Sequence, residues 1–214
     1  MTLDSEPLSE IRAFWQRDGR GYDASAGHGT GSASERERWS EWLAGLGSAP
    51  MRVIDVGSGT GFVALLAAEI GHDVAAVDWS EGMQAAAKEK ALAAGLTIQF
   101  VLGRAEDLPC PDASADAVVA RHVLWTLLDP VTALREWRRV LRPGGAVLAD
   151  MSLSADRSAH YSPEVERSLP LHQVTDPDIV LGMFAAAGFA DATVELVDRG
   201  AHQHGASGLF RAVK

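Results

Sequence analysis

Cysteine is almost absent from this chain, and long apolar runs are absent altogether. The single cysteine, Cys110, cannot form an intrachain disulfide and leaves no Cys-rich zinc pattern. No apolar run approaches the roughly 20 residues that a membrane-spanning helix needs, and residues 1–20 lack the apolar core of a signal peptide. These absences predict a protein of the reducing cytoplasm that does not enter a membrane.

Positive charge is also scarce. The 214 residues include 19 Lys and Arg against 29 Asp and Glu, which gives a formal net charge of −10, and no run of Lys or Arg exceeds two residues. An acidic surface repels phosphate backbones, so a nucleic-acid partner is not expected. The length suits one α/β domain with a full core.

From residue 51 onward the sequence alternates apolar runs with helical patterns. The predicted strands are 51–56, 73–77, 97–102, 115–120, 145–151, 190–197 and 206–213. The predicted helices are 60–70, 80–94, 130–141 and a helix that begins at Asp176-Pro177 and ends at Gly188. Continuous apolar strands are typical of a parallel sheet that helices cover on both faces. The last two strands predict a C-terminal β-hairpin.

The first 50 residues have a different organisation. Helices are predicted at 6–17 and 34–46, and the Gly-, Ser- and Ala-rich segment 18–33 between them is predicted to be a loop. A second polar stretch, 152–175, has no clear periodicity, and no element is predicted there.

The segment VIDVGSGTGFVALLAAEIGHDVAAVDWS, residues 53–80, carries the strongest functional signal. Gly57, Gly59 and Gly61 follow a predicted strand and precede a predicted helix. Glycine permits positive φ and close approach of a ligand to the backbone, and the helix start directs free N–H groups at that ligand. Asp78 ends the next strand, where a carboxylate bonds a ribose hydroxyl in doubly wound folds. The segment therefore predicts a nucleotide-like ligand.

The spacing of the glycines distinguishes between nucleotide ligands. The dinucleotide fingerprint is G-x-G-x-x-G, whereas this chain has D-V-G-S-G-T-G. That pattern is followed in order by VDWSEGM, GRAEDLPCPDASADAVVARHVLWTLLDP and ALREWRRVLRPGG. Over about residues 50–152 the chain resembles the class I S-adenosylmethionine-dependent methyltransferases, in the small-molecule branch often called type 11.

The resemblance implies a fold, a cofactor and a reaction. The implied fold is α/β, a doubly wound, mostly parallel seven-stranded sheet (the Rossmann-like methyltransferase fold) with an N-terminal helical cap. The cofactor would be S-adenosyl-L-methionine, and its methyl group would pass to a nitrogen, oxygen, sulfur or carbon atom of a small molecule. The chain would be one domain, with 1–50 as cap or lid, 51–152 as cofactor-binding core and 153–214 as the substrate side. A monomer or homodimer is expected.

The resemblance also implies which residues bind the cofactor. Asp55 and the turn 57–61 would hold its methionine end, and Asp78 its ribose. Arg104 departs from the family, which often has Asp or Asn at this position. A guanidinium cannot accept a hydrogen bond from the adenine amino group, so Arg104 cannot make the contact that Asp or Asn would make. Glu106 or Asp107 then accepts it, or the contact is missing. The full implied set is Tyr22, Asp55, Gly57, Ser58, Gly59, Thr60, Gly61, Asp78, Trp79, Met83, Arg104, Ala105, Glu106 and Arg121.

Histidines near the implied methyl group are the candidate bases. A nitrogen or oxygen acceptor must lose a proton, and the ordinary pKa of histidine suits that task. His122 is the first candidate and His28 the second, although a neutral amine, a thiolate or a carbanion-like carbon needs no base. The predicted substrate contacts are His28, His122, Trp125, His160 and Tyr161.

Two other functions stay open at this point, a nicotinamide-dependent oxidoreductase and a noncatalytic cofactor- or metal-responsive binding protein. The glycine spacing counts against the first. His202 and His204 would share one face of a strand and could chelate a metal ion. Exposed histidines are common on polar terminal strands, so no metal is predicted.

Overall fold

The computed structural model describes residues 6–16, 19–23, 33–155, 160–198 and 206–214. Within these ranges seven strands form one sheet. The strands are β1 Arg52–Val56, β2 Asp73–Asp78, β3 Gln99–Leu102, β4 Ala115–Arg121, β5 Leu141–Ser152, β6 Thr193–Asp198 and β7 Ala206–Val213. Their order in the sheet is β3-β2-β1-β4-β5-β7-β6.

The direction of the strands matches the prediction. The pairs β3-β2, β2-β1, β1-β4 and β4-β5 are parallel. Strand β7 runs antiparallel to both β5 and β6, so the last two strands pair as predicted. The doubly wound, mostly parallel seven-stranded sheet is thereby confirmed.

Helices cover both faces of this sheet. They are α1 Glu6–Trp15, α2 Gly19–Asp23, α3 Ala33–Ala44, α4 Phe62–Ile70, α5 Glu81–Ala93, α6 Pro130–Val140, α7 Pro163–Ser168 and α8 Pro177–Ala186, with a short 3-10 helix at Leu124–Thr126. Adjacent residues of β1 point to opposite faces. Val53 packs into the cluster that holds Trp39 and Phe62, whereas Ile54 packs into the cluster that holds Trp137. No helix in the described ranges is long and apolar enough to cross a bilayer.

Two short helices were missed by the sequence analysis. Helix α2 lies inside the segment 18–33 that was predicted to be a loop, and α7 lies inside 152–175. They have 5 and 6 residues, which is too few for an apolar periodicity to be visible. Helix α7 did carry a local signal, because Ser162 caps it by accepting from the Val165 N–H and a proline occupies its first turn.

Strand β5 begins earlier than predicted. The predicted strand starts at residue 145, whereas the observed strand begins at Leu141. The pairing jumps from Ala115↔Leu141 to Ala117↔Ala146, so the Pro-Gly-Gly segment bulges out of the ladder.

Candidate functional site

A cleft of about 780 Å³ opens where β1, β2, β3 and β4 end. Ligands of open α/β sheets bind beyond the carboxyl ends of the strands, so the position itself indicates a binding site. Leu8, Val123 and Leu127 supply apolar wall. The predicted cofactor residues that line the cleft are Tyr22, Gly57, Gly59, Asp78, Trp79, Met83, Arg104, Ala105, Glu106 and Arg121.

The three glycines of the turn between β1 and α4 serve different purposes. All have positive φ, 62° at Gly57, 52° at Gly59 and 87° at Gly61, a region that other residues rarely adopt. A Cβ at Gly57 would lie 2.5 Å from a methyl carbon of Val123, and one at Gly61 would lie 3.0 Å from the Cβ of Ala87. A Cβ at Gly59 would meet nothing closer than the Gly57 carbonyl at 4.0 Å. Gly57 and Gly61 are therefore required by packing, and Gly59 leaves open space at the cleft.

Asp78 closes β2 beside this turn. Its Oδ2 accepts from the Gly59 N–H at 2.8 Å and its Oδ1 accepts from the Ser80 N–H at 2.8 Å. Burial raises the pKa of this carboxyl, against the effect of the backbone N–H groups that it accepts from. Each carboxylate oxygen can accept a second hydrogen bond, so Asp78 can still receive a ligand hydroxyl.

A smaller cavity of about 310 Å³ lies next to the turn at the start of α4. Asp55 lines it and accepts from the Ala64 N–H at 2.9 Å. Burial raises the pKa of Asp55 to about 8. Ser58 and Thr60 also line this cavity, and the buried Oγ of Ser58 has no hydrogen-bond partner. A buried polar atom without a partner is unusual, and here it borders a space that a polar ligand can fill. Gly61, by contrast, lines neither cavity.

Helix α2 is attached directly to the glycine turn. Asp23 accepts from the Thr60 hydroxyl at 2.6 Å and pairs with the Lys90 ammonium at 2.8 Å. The neighbouring Tyr22 lines both cavities, and burial raises the pKa of its phenol. Asp23 was not among the predicted site residues. Its position next to Tyr22 was the only signal for it in the sequence.

A buried ion pair joins α3 to the end of β4. The Nε and Nη2 of Arg121 donate to Glu35 Oε1 at 3.0 and 2.9 Å. The side chains are 8% and 7% exposed, and the guanidinium also lies 4.4 Å from the ring centre of Phe62. Arg121 lines both cavities, as expected of a residue predicted to meet the cofactor. Glu35 was missed, because a glutamate in an amphipathic helix is usually solvent-exposed.

His122 follows Arg121 in an uncommon backbone conformation, with φ of 61°. It lines the cleft. Its N–H donates to Asp150 Oδ1 at 2.8 Å, and its Nδ1 lies 3.4 Å from the same oxygen. Asp150 was not predicted as a site residue.

The two acidic candidates for an adenine contact differ in their position relative to the cleft. Glu106 lines the cleft, whereas Asp107 does not. Arg104 Nε lies 3.6 Å from Glu106 Oε2. Of the two acids, only Glu106 borders the cleft, next to the Arg104 guanidinium, and its contact with adenine stays a prediction.

Three predicted substrate contacts lie beside the cleft and do not form its wall. Trp125, His160 and Tyr161 belong to an aromatic cluster with ring centres 5.3 to 6.2 Å apart. The 3-10 helix turns Trp125 inward, so that its ring packs in the core. Trp15 connects this cluster to the cleft, because it lines the cleft and donates from Nε1 to the Tyr161 hydroxyl at 2.7 Å.

The remaining histidines of interest, His28, His202 and His204, lie outside the described residues. Among the residues that are described, no group of three or more His, Cys, Asp or Glu side chains is arranged to hold a metal ion.

Comparison with known proteins identifies the family. A sequence model of the methyltransferase domain matches residues 54–149. A demethylmenaquinone methyltransferase from a Mycobacterium species is 32% identical over 174 residues, which cover 79% of this chain and 72% of that protein. The chain belongs to the methyltransferase domain family. Another member, the demethylmenaquinone methyltransferase of Thermus thermophilus, is 39% identical over 105 residues.

The likeness to individual family members is partial. The matched segment spans about half the length of several curated relatives, among them the Thermus protein, where the match covers 48% of each chain. The structure of phosphoethanolamine N-methyltransferase 2 from Haemonchus contortus superposes with a TM-score of 0.74 at 19% identity, over 95% of this chain and 60% of that one. At this identity the likeness is one of fold. Family and fold class are as predicted from the sequence.

Proposed function

We propose that this methyltransferase-family chain transfers a methyl group from S-adenosyl-L-methionine to a small-molecule acceptor. The observation that carries the proposal is the pairing of Gly59 with Asp78 at the cleft. The Gly59 N–H holds the Asp78 carboxylate at 2.8 Å, while the space next to the Gly59 α-carbon is open. A ribose-binding carboxylate and a backbone that a ligand can approach closely are thus joined in one unit.

The residues of the two cavities fit this cofactor. Asp78 would accept from the ribose hydroxyls, and Trp79 and Met83 would flank the adenine. The polar amino-acid end would occupy the smaller cavity, where the Ser58 hydroxyl is without a partner. Asp55 and Asp78 are buried carboxyls with raised pKa values, and a cationic ligand would favour their charged forms.

Methyl transfer requires mainly that the chain align the methyl donor with the acceptor. S-adenosyl-L-methionine, when bound, supplies a methyl group on a positively charged sulfur that leaves as a neutral thioether. The cleft walls would hold the acceptor in line with that bond and exclude water. Such alignment can contribute about 7–11 kcal/mol to lowering the barrier. His122 lines the cleft and would take the proton of a nitrogen or oxygen acceptor.

The acceptor is proposed only as a class. Four relatives bear the name demethylmenaquinone methyltransferase, and the cleft of this chain has an apolar wall from Leu8, Trp15 and Leu127. Both observations support a small aromatic acceptor. The division of the chain into cap, core and substrate side, the monomer or homodimer, the lack of a nucleic-acid partner and the cytoplasmic location stay predictions.

Calorimetry tests the cofactor. We expect S-adenosylhomocysteine to bind and NAD not to bind. Asp78→Ala should weaken S-adenosylhomocysteine binding by about tenfold or more, because charged hydrogen bonds contribute about 1.5–3 kcal/mol each. The matched control is Asp73→Ala, at the exposed start of the same strand, which should leave the affinity unchanged. Binding of NAD in place of S-adenosylhomocysteine would favour the oxidoreductase.

Transfer of a radiolabelled methyl group to a metabolite extract tests the reaction. We expect one labelled small molecule, whose mass identifies the acceptor. If the chain binds the cofactor but methylates nothing in extracts from several growth conditions, the noncatalytic binding protein would be supported instead.

A further inference from the structure

His122 and Asp150 form a unit that the sequence analysis did not anticipate. His122 has a φ of 61°, and residues other than glycine adopt this region rarely. Such a conformation persists only where the surroundings hold it, and it often marks a functional site. The group that holds it is the side chain of Asp150.

The strand register brings these two residues together. Arg121, the last residue of β4, pairs with Asp150 in β5. The next residue, His122, therefore begins its turn directly beside the Asp150 carboxylate. Its N–H donates to Asp150 Oδ1 at 2.8 Å and also lies 3.3 Å from the Asp150 carbonyl oxygen.

The imidazole reaches the same carboxylate. His122 Nδ1 lies 3.4 Å from Asp150 Oδ1, and the Asp150 side chain is 1% exposed while that of His122 is 18% exposed. A buried carboxylate beside one ring nitrogen favours the tautomer that carries its proton on that nitrogen. The other nitrogen, Nε2, is then unprotonated.

We propose that Asp150 is a positioning residue, which fixes His122 as the Nδ1–H tautomer so that Nε2 serves as the base for the methyl acceptor. This inference rests on the proposed function for the use of Nε2, although the tautomer itself does not depend on it. In this arrangement His122 is the base and the buried Asp150 carboxylate orients it.

The arrangement identifies the class of acceptor. The bond from the acceptor atom to the methyl carbon forms as the carbon–sulfur bond breaks, and the electron pair of that bond goes to sulfur. The acceptor's own proton passes to His122 Nε2, which leaves an imidazolium beside the Asp150 carboxylate until solvent takes the proton. The acceptor is therefore one that carries a proton on the reacting atom, such as a phenolic hydroxyl or an ammonium group, and not a thioether or a tertiary amine.

Imidazole ¹⁵N chemical shifts test the tautomer without requiring turnover. The His122 resonances are assigned by their loss in His122→Gln, and spectra are recorded at about pH 8, where an unperturbed imidazole is neutral. We expect Nδ1–H in the wild-type protein and a shift to Nε2–H in Asp150→Ala. Asp150→Asn keeps an oxygen acceptor and should retain Nδ1–H, so it also serves if the alanine variant does not fold.

The matched control is Asp116→Asn. Asp116 is also a carboxylate of the sheet that accepts a backbone N–H, from Arg52 at 2.7 Å, but it lies at the opposite end of β4. This control should leave the His122 tautomer unchanged. A wild-type His122 with its proton on Nε2, or an Asp150→Ala variant with the wild-type tautomer, would overturn the proposal.

Kinetics with the acceptor found by the transfer assay separates positioning from structural support. Asp150→Ala should lower kcat by on the order of 10²-fold, within the range of a general base, and leave the Kd of S-adenosylhomocysteine unchanged. Adding Asp150→Ala to a His122→Ala variant should cause no further loss, because a carboxylate that only positions the base has no role once the base is gone. An equal loss of affinity and kcat would make Asp150 a structural residue. Absence of transfer by the wild-type protein would count against the proposed function, while the tautomer result would still stand.

Discussion

Substituting alanine for one glycine of the turn separates ligand contact from packing. Gly59 and Gly57 both have positive φ, 52° and 62°, but only Gly57 is crowded, with Val123 2.5 Å from where its Cβ would lie. Gly95 provides the matched control, since its φ is 67° and nothing lies within 4 Å of its Cβ position. It follows α5 and does not line the cleft. Each substitution to alanine therefore carries the same backbone strain in a different environment.

The expected magnitudes follow from that comparison. A left-handed conformation costs an L-residue about 1–2 kcal/mol, and 1 kcal/mol changes the melting temperature of a chain of this size by about 2–4 °C. Gly59→Ala and Gly95→Ala should each lower the apo melting temperature by about 2–8 °C. Gly57→Ala adds an overpacking cost of about 1–3 kcal/mol, which brings its expected loss to about 4–20 °C.

The response to ligand distinguishes Gly59→Ala from Gly95→Ala. In thermal melts with S-adenosylhomocysteine, we expect Gly95→Ala to gain melting temperature as the wild-type protein does and Gly59→Ala to gain little or nothing. The reason is that the new methyl group projects into the space that the ligand would occupy. If Gly59→Ala responds as fully as Gly95→Ala, the turn does not face the ligand and the reasoning about this cleft is wrong.

Two further predictions concern buried carboxyl groups. Asp55 has a pKa raised to about 8, so the folded protein holds a proton that the unfolded chain has lost between about pH 4 and pH 8. The free energy of unfolding should therefore fall as pH rises through that window, by up to about 1.4 kcal/mol per pH unit. Urea titrations of Asp55→Asn should show an unfolding free energy without this pH dependence. If the unfolding free energy of Asp55→Asn depends on pH as steeply as that of the wild-type protein, the argument from burial is wrong. Glu35→Ala should cost about 3–5 kcal/mol of unfolding free energy, because it removes the carboxylate from the buried Arg121 guanidinium. A cost below about 0.5 kcal/mol, typical of a surface substitution, would show that this pair is not buried in solution.

The sequence was sufficient for the sheet, the glycine turn and the acid at the end of β2. These features are encoded locally, because continuous apolar strands and a strand-glycine-helix junction each occupy one short segment. The same argument explains the misses. Helix α2 has 5 residues, which is too short for a pattern. Trp125 was expected in a pocket wall because it follows Arg121 and His122 closely in the sequence. Sequence spacing does not show which side of the 3-10 helix faces the cleft.

The residues that the sequence did not indicate all act across long separations, and they differ in how predictable they could have been. Asp23 and Glu35 reach the site from helices whose placement depends on tertiary packing. Apart from the position of Asp23 next to Tyr22, no local pattern distinguishes them from exposed acids. Asp150 is a different case. It stands near the end of the buried part of β5, where an acid is costly to bury unless it has a partner. Once β5 is placed parallel to β4, the ends of both strands meet at one edge, and the register sets Asp150 beside Arg121. A charged residue late in a predicted central strand is thus a signal for a site residue, and the strand order is what turns that signal into a specific partner.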